Sequence, residues 1–248
     1  MRVAALYDIH GNLPALEAVL QDLRRAEVDR IVVGGDVLPG PMPRETLECL
    51  LNLDIPVQFI QGNGERELLA LMAGEETDAV PEPFREVMRW NAEQLRPQDG
   101  QLLARWPKTV QVEIDGVGEV LFCHATPRSD TEIFTRLTPE DHLLPIFAAL
   151  EPPLVVCGHT HMQFDRWVGK VRVVNAGSVG MPFGGPGAYW LLLGPDLQLR
   201  HTSYDLTKAA ERIRATSYPQ AQDFAAKNIL RPPSEETTLK AFTKVEVK

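Results

Sequence analysis

Along its first 64 positions the chain alternates short, wholly apolar runs with segments whose apolar residues recur every third or fourth position. Val3–Asp8 is apolar until its last residue, Ile31–Val33 is a second such run, and Val57–Ile60 is a third. Between them Leu13, Leu16, Val19, Leu20 and Leu23, then Thr46, Leu47, Leu50 and Leu51, fall at helical spacing. Pro14 sits in a first turn, where its missing N–H is harmless. Strand-then-helix repetition predicts a parallel sheet with right-handed crossovers, whose functional groups gather beyond the carboxyl ends of the strands. All three runs end in polar residues and glycine, as Asp8-Ile9-His10-Gly11-Asn12, Gly34-Gly35-Asp36 and Gly62-Asn63-Gly64-Glu65.

The pattern then changes. Residues 64–107 predict a helical insert, with helices at Glu65–Ala73, Phe84–Leu95 and Asp99–Trp106 around a Gly74–Pro83 loop, and with Trp90 and Trp106 as buried anchors beside the Asn63 loop. From Thr109 the period becomes two: Val110, Val112 and Ile114 alternate, Asp115-Gly116 turns, and Glu119–His124 returns. A helix over Pro139–Leu150 precedes a buried strand, Leu154–Cys157, that ends in Gly158-His159-Thr160-His161. Phe164–Val168 with Lys170–Asn175, and Ala188–Leu193 with Leu197–Thr202, read as antiparallel pairs. Helices over 205–216 and 219–229 follow, and Pro232-Pro233 sets off a polar tail. The expectation is an α/β chain forming a single domain over 1–248, with C-terminal helices and tail from residue 205.

Charge narrows the class of partner. Twenty-five Lys and Arg against 34 Asp and Glu leave a net charge of −9, which argues against general nucleic-acid binding because that affinity comes from basic residues neutralising phosphates. No stretch approaches the roughly 18 apolar residues of a membrane span. Three cysteines, Cys49, Cys123 and Cys157, are too few and too scattered for a disulfide framework or a Cys-rich zinc site. A cytoplasmic protein with no membrane partner is expected.

Four of the six histidines lie in the strand-end motifs, His124 among them. Asp8 and His10, two apart in extended chain, would project to one side, and so would His159 and His161. Carboxylate, imidazole and amide together form a mixed O/N donor set, suited to Mn, Fe, Co, Ni or Zn rather than to calcium or structural zinc. Each member alone reads as a helix cap, a core histidine or a turn glycine; five motifs in order at strand ends do not. Ser178 follows Ala176-Gly177 but precedes Met181–Pro186, which cannot form the helix of a nucleophile elbow. Cys123 and His124 are adjacent in a strand and face opposite ways.

In this combination the motifs resemble the calcineurin-like metallophosphoesterase superfamily, and its compact bacterial and archaeal phosphodiesterase branch in particular, from Arg2 to Thr202. Asn175-Ala176-Gly177-Ser178-Val179-Gly180 is similar to the stretch that follows the last ligands in that branch. The resemblance implies a four-layer αββα sandwich of two mixed sheets flanked by helices. It implies a first divalent ion held by Asp8, His10 and His161, a second held by Asn63, His124 and His159, and Asp36 bridging them, with Asp36, Asn63 and His124 as catalytic residues. Mn is the expected metal, with Fe, Ni, Co or Zn as alternatives. The implied reaction is in-line attack of a metal-bridging hydroxide on a phosphodiester or phosphoanhydride bond of a small phosphorylated or nucleotide substrate. Two ions about 3.5–4 Å apart need a shared anion to offset their repulsion. Asn12, Arg66 and Arg128 are the substrate-side candidates. Much of the superfamily carries His where this chain has Gly64, which leaves Glu65 with no imidazole to orient. Loss of a general acid favours substrates whose leaving group departs as a stable anion. The alternatives are a phosphomonoesterase or protein phosphatase, and a non-catalytic interaction scaffold; the scaffold usually requires ligand loss, and all seven ligand residues are present.

Overall fold

The computed structural model describes residues 1–75 and 82–248. Part of the loop expected at Gly74–Pro83 lies outside them. Two five-stranded mixed sheets face each other. The first is built on β1 (Val3–Leu6), β2 (Arg30–Val33) and β3 (Val57–Phe59), all parallel, and β9 (Ala188–Leu193) and β10 (Leu197–Thr202) extend it antiparallel on the far side of β1. The second sheet has β5 (Gly118–Cys123), β6 (Leu154–Cys157) and β8 (Val171–Asn175) running parallel. Its antiparallel edges are β4 (Thr109–Ile114) and β7 (Phe164–Val168).

Side-chain alternation sorts the layers. Val3, Ala5 and Tyr7 on and after β1 pack inward against Val120, Phe122, Leu154 and Val156 of the second sheet. Ala4 and Leu6 face outward under α1 (Leu13–Arg25) and α2 (Pro43–Leu51), with Leu16, Val19, Leu47 and Leu50 as their partners. On the other outside, Leu121, Cys123, Val155 and Cys157 pack under Leu143, Ile146 and Phe147 of α6 (Glu140–Phe147). The result is the expected helix–sheet–sheet–helix sandwich. Tyr7, without exposed surface, ties the sheets by donating its hydroxyl to the Val156 carbonyl at 3.0 Å.

Between β3 and β4 the chain forms α3 (Asn63–Met72), α4 (Glu82–Gln94) and α5 (Pro97–Leu103). The last begins earlier than its apolar spacing suggests, because Pro97 occupies the first turn and Asp99 accepts the Arg96 N–H at 2.8 Å. Trp106 is buried and stacks on Phe59, with ring centroids 4.5 Å apart. Trp90 is only half-buried. It meets Tyr218 edge-on in the loop between α7 (Leu206–Arg214) and α8 (Ala221–Phe224), not the sheet core. A π-helical stretch, Ala225–Leu230, continues α8. The segment expected as a polar tail instead contains a helix, α9 (Glu235–Phe242), started by Ser234 accepting the Thr237 N–H. Beyond it, Val247 donates its N–H to the Ile133 carbonyl. Among the described residues no helix is long and apolar enough to cross a membrane.

Candidate metal centre

The parallel strands of both sheets end at one edge, and the strand-end loops there are laced together. His10 N donates to the Asp36 carbonyl at 2.9 Å, Asp8 N to Gly35 at 3.2 Å, and Gly158 N to His124 at 2.8 Å. These bonds bring Asp8, His10, Asp36, Asn63, His124, His159 and His161 into one cluster, spread over both sheets.

The backbone achieves this through turns, not strand parity. Asp8, His10, Asp36, His159 and His161 all adopt positive φ, between 48° and 66°. Among the described residues Glu27 is the one other non-glycine residue that does so. Such conformations cost about 1–3 kcal/mol each and persist where surrounding structure over-determines them. Asp8 and His10 therefore share a side because the chain coils after β1 ends at Leu6, and the same holds for His159 and His161 after β6. At Gly35 the demand is stronger, with φ +93° and a place where a Cβ would lie 2.7 Å from His124 Nδ1.

The histidines are pre-aimed. His124 Nδ1 lies 2.9 Å from the Gly34 carbonyl, His161 Nδ1 2.7 Å from Met181, and His10 Nδ1 3.3 Å from Pro39. A carbonyl only accepts, so each Nδ1 carries the hydrogen and each ring, in its neutral form, points a bare Nε2 lone pair into the cluster. Those Nε2 atoms lie 3.4 Å (His161), 3.9 Å (His124) and 4.0 Å (His10) from Asp8 Oδ1. Asp36 turns Oδ2 towards His10, 3.8 Å away, and Oδ1 towards His124, 3.5 Å away. Its carboxylate thus spans the two histidine groups. Gly64 N donates to Asp36 Oδ1 at 2.8 Å, and His159 N to Asp8 Oδ2 at 2.9 Å.

These donors fit divalent ions. Asp8 Oδ1 is fully buried with no hydrogen-bond partner, a costly state for a carboxylate oxygen unless a cation compensates it. Asn63 Oδ1 lies 3.1 Å from both His124 Nε2 and His159 Nδ1. Acceptor against acceptor is repulsive unless a cation lies among them or the amide turns to donate. Among the described residues, two sets of side chains have ligand atoms close enough to share an ion: Asp8, His10 and His161, and Asp8, Asp36 and His124.

Titration follows the same geometry. Burial opposes ionisation of Asp8, yet the electrostatic pull of His161 first, then of His124 and His10, holds its carboxyl well below the usual range. Burial and the Asp8 charge instead push Asp36 well up. Burial lowers His10 and His159 to about 3, helped by the charges of His161 and His124 respectively. For His161 burial is outweighed by Asp8, so its pKa rises.

Glu65 is not the idle residue that loss of an imidazole partner suggests. Fully buried, it accepts backbone N–H groups from Asp36 (2.9 Å), Leu38 (3.1 Å) and Gly62 (2.8 Å). It clamps the loops after β2 and β3 together. Burial and the Asp36 charge raise its pKa to about 7, against the pull of the Leu38 and Gly62 N–H groups. Gly64 is fixed by contact: a Cβ there would lie 2.2 Å from the Leu38 carbonyl oxygen and 3.0 Å from Asp36 Oδ1.

The three substrate-side candidates separate. Asn12 has no exposed surface; it caps α1 through Ala15 N and donates to the Gly180 carbonyl, so it offers a substrate nothing. Arg66 pairs with Asp130 at 2.6 Å and Arg128 with Glu132 at 2.6 Å, and both line a cleft that His124 also lines. Sequence reading missed Lys108 in that cleft, and Phe183, whose ring stacks on His161 at 5.2 Å. Neither carries a sequence signal, since each is placed by contacts between distant loops. Ser178 donates to the Asp8 carbonyl and accepts the Met181 N–H, a structural role. Cys123 and Cys157 are buried, and burial pushes both thiols up.

Residues 1–194 match the calcineurin-like phosphoesterase superfamily domain, and the chain belongs to that superfamily. It is a metal-dependent phosphoesterase by family, and the edge cluster supplies candidate ligand groups. The chain is 27% identical to a metallophosphoesterase from Sphaerobacter thermophilus, with 92% of this chain and 99% of that one covered and a TM-score of 0.68. A hypothetical protein from Pyrococcus horikoshii shares the fold at 21% identity, TM-score 0.77, over 90% of this chain and 97% of its own. An uncharacterized protein of Methanocaldococcus jannaschii is 26% identical over 238 residues, 88% of this chain and 94% of that protein.

Proposed function

We propose that this chain is a two-metal hydrolase of phosphodiester or phosphoanhydride bonds in small phosphorylated or nucleotide substrates, acting as one domain with α3–α5 as an insert beside the site. The observation that carries the reading is Asp36, whose two carboxylate oxygens face different histidine groups, as a bridging ligand must. Asp8, His10 and His161 would hold one ion, and Asn63, His124 and His159 the other, with Mn the first candidate. When bound, such ions acidify a water nucleophile and neutralise charge on the phosphoryl oxygens.

The chain's own contribution is to aim these groups. His124, His161 and His10 have their rings fixed by the Gly34, Met181 and Pro39 carbonyls, and partners of this kind typically govern 10–100-fold in metal affinity. Glu65 holds the Asp36 backbone in place. At position 64 no side chain reaches the leaving group, and the Leu38 carbonyl leaves no room for one. Proton donation there is absent, which supports diesters and anhydrides with acidic leaving groups over alkyl monoesters. A panel of nitrophenyl diester, matching monoester, cyclic nucleotide and dinucleoside polyphosphate, assayed with added manganese, tests the reading. Preference for the diester or polyphosphate supports it, and preference for the monoester favours a phosphomonoesterase. No turnover despite bound metal favours a scaffold.

A further inference from the structure

We propose that the cleft beside His124 is a subsite for a second phosphate of the substrate, with Lys108 as its specificity-determining residue. The inference rests on the phosphoester-hydrolase reading and names the substrate class more closely: a phosphoester carrying another phosphate near the scissile one. The cleft has a volume of about 160 Å³ and is lined by Gln61, Arg66, Lys108, His124, Arg128 and Asp130, among others. One water needs roughly 10–15 Å³ of such volume, so the cleft has room for several waters or for a phosphate in their place.

Charge selects the occupant. Three cations face one carboxylate in this lining, on a chain whose net charge is −9. Arg66 and Arg128 are each fixed by a carboxylate partner, Asp130 and Glu132. Lys108, exposed on the residue before β4, has no carboxylate partner among the described residues. It is held beside the Asn63 loop because Gln61 N donates to the Pro107 carbonyl at 2.9 Å. Continuity with the metal centre is direct. His124 lines the cleft, and the Asp130 carbonyl lies 3.2 Å from the Asn63 amide while the Asp130 carboxylate holds Arg66. A substrate seated on the cluster thus places its neighbouring group against an uncompensated ammonium, which suits phosphate as a point charge.

Calorimetric titration of the manganese-loaded protein with adenosine 3′,5′-bisphosphate and with AMP tests this. The wild type should bind the bisphosphate roughly tenfold more tightly, the size of one charge-assisted contact. In Lys108→Ala the ratio should fall below about twofold, with the unfolding midpoint unchanged as a control on the fold, and Lys108→Glu should reverse it. Equal binding of the two ligands by the wild type, or a preference that survives both substitutions, overturns the subsite. Wild-type turnover of bis(4-nitrophenyl) phosphate, which has no second phosphate, separates the two readings. Turnover without a bisphosphate preference leaves the hydrolase and removes the subsite. A Lys108-dependent preference with no turnover of this diester or of a dinucleoside polyphosphate leaves the subsite and removes the hydrolase.

Discussion

Glu65 Oε2 accepts the backbone N–H of Asp36 at 2.9 Å, so the carboxylate that spans the two histidine groups is positioned by a second carboxylate behind it. The same oxygen takes Gly62 N, and Oε1 takes Leu38 N. A Gln at 65 keeps the shape but turns an amide donor towards backbone donors. Glu65→Gln is therefore expected to cost about 1–3 kcal/mol of stability. It should also weaken manganese binding by ~10–100-fold. Denaturant unfolding and metal titration check both; unchanged metal affinity would reduce Glu65 to a purely structural residue.

The pH dependence of metal-free protein follows from the same pair. Glu65 is raised to about 7 and Asp36 is raised as well, both by burial first. With folded pKa values above unfolded ones, the native state holds protons that the unfolded chain releases. Their stabilisation is complete below the ordinary carboxylate range and is lost as pH rises through about 7. Divalent cations favour the ionised carboxylates, so the rise in unfolding temperature on adding manganese should grow between pH 5.5 and pH 7.5, about the window set by these groups. A gain that is flat or shrinks across that interval contradicts it.

Much of this was legible in the sequence, and the misses share a cause. Strands such as Ile31–Val33 and Leu154–Cys157 announce themselves through local apolar runs, and the ligand residues follow those runs directly. Their positive φ angles have no local signature, so strand parity puts Asp8 and His10 on one face by a geometry that the backbone does not use. Glu65, Lys108 and Asn12 are decided by partners far along the chain: Asp36 for the first, the loop around Arg128 for the second, Gly180 for the third. Trp90 reads as a core anchor by composition, yet its neighbour is Tyr218, beyond the reach of local spacing.

Restoring a histidine at position 64 looks attractive from the motif alone. The 2.2 Å approach of a Cβ to the Leu38 carbonyl forbids it without moving α3 or the Asp36 loop. Even Gly64→Ala should destabilise by about 1–3 kcal/mol and lower metal occupancy. Thermal unfolding with metal analysis decides; a stable, metal-replete Gly64→Ala would show that the contact yields.

With no proton donor at 64, rate should depend steeply on leaving-group acidity across a series of aryl and alkyl phosphodiesters. Each tenfold difference corresponds to about 1.4 kcal/mol of transition-state stabilisation. A shallow slope would mean that another group, such as an ordered water, already protonates the leaving oxygen.

Asp36→Asn should weaken metal binding by more than about 100-fold, beyond the effect typical of supporting partners, and abolish turnover. Asn63→Ala removes one neutral donor from one side and should retain the ion at Asp8, His10 and His161. The most direct test of the central claim is anomalous diffraction from manganese-soaked crystals of the wild-type protein. Two peaks about 3.5–4 Å apart on either side of the Asp36 carboxylate are expected. A single peak, or peaks away from Asp36, would contradict the two-metal account.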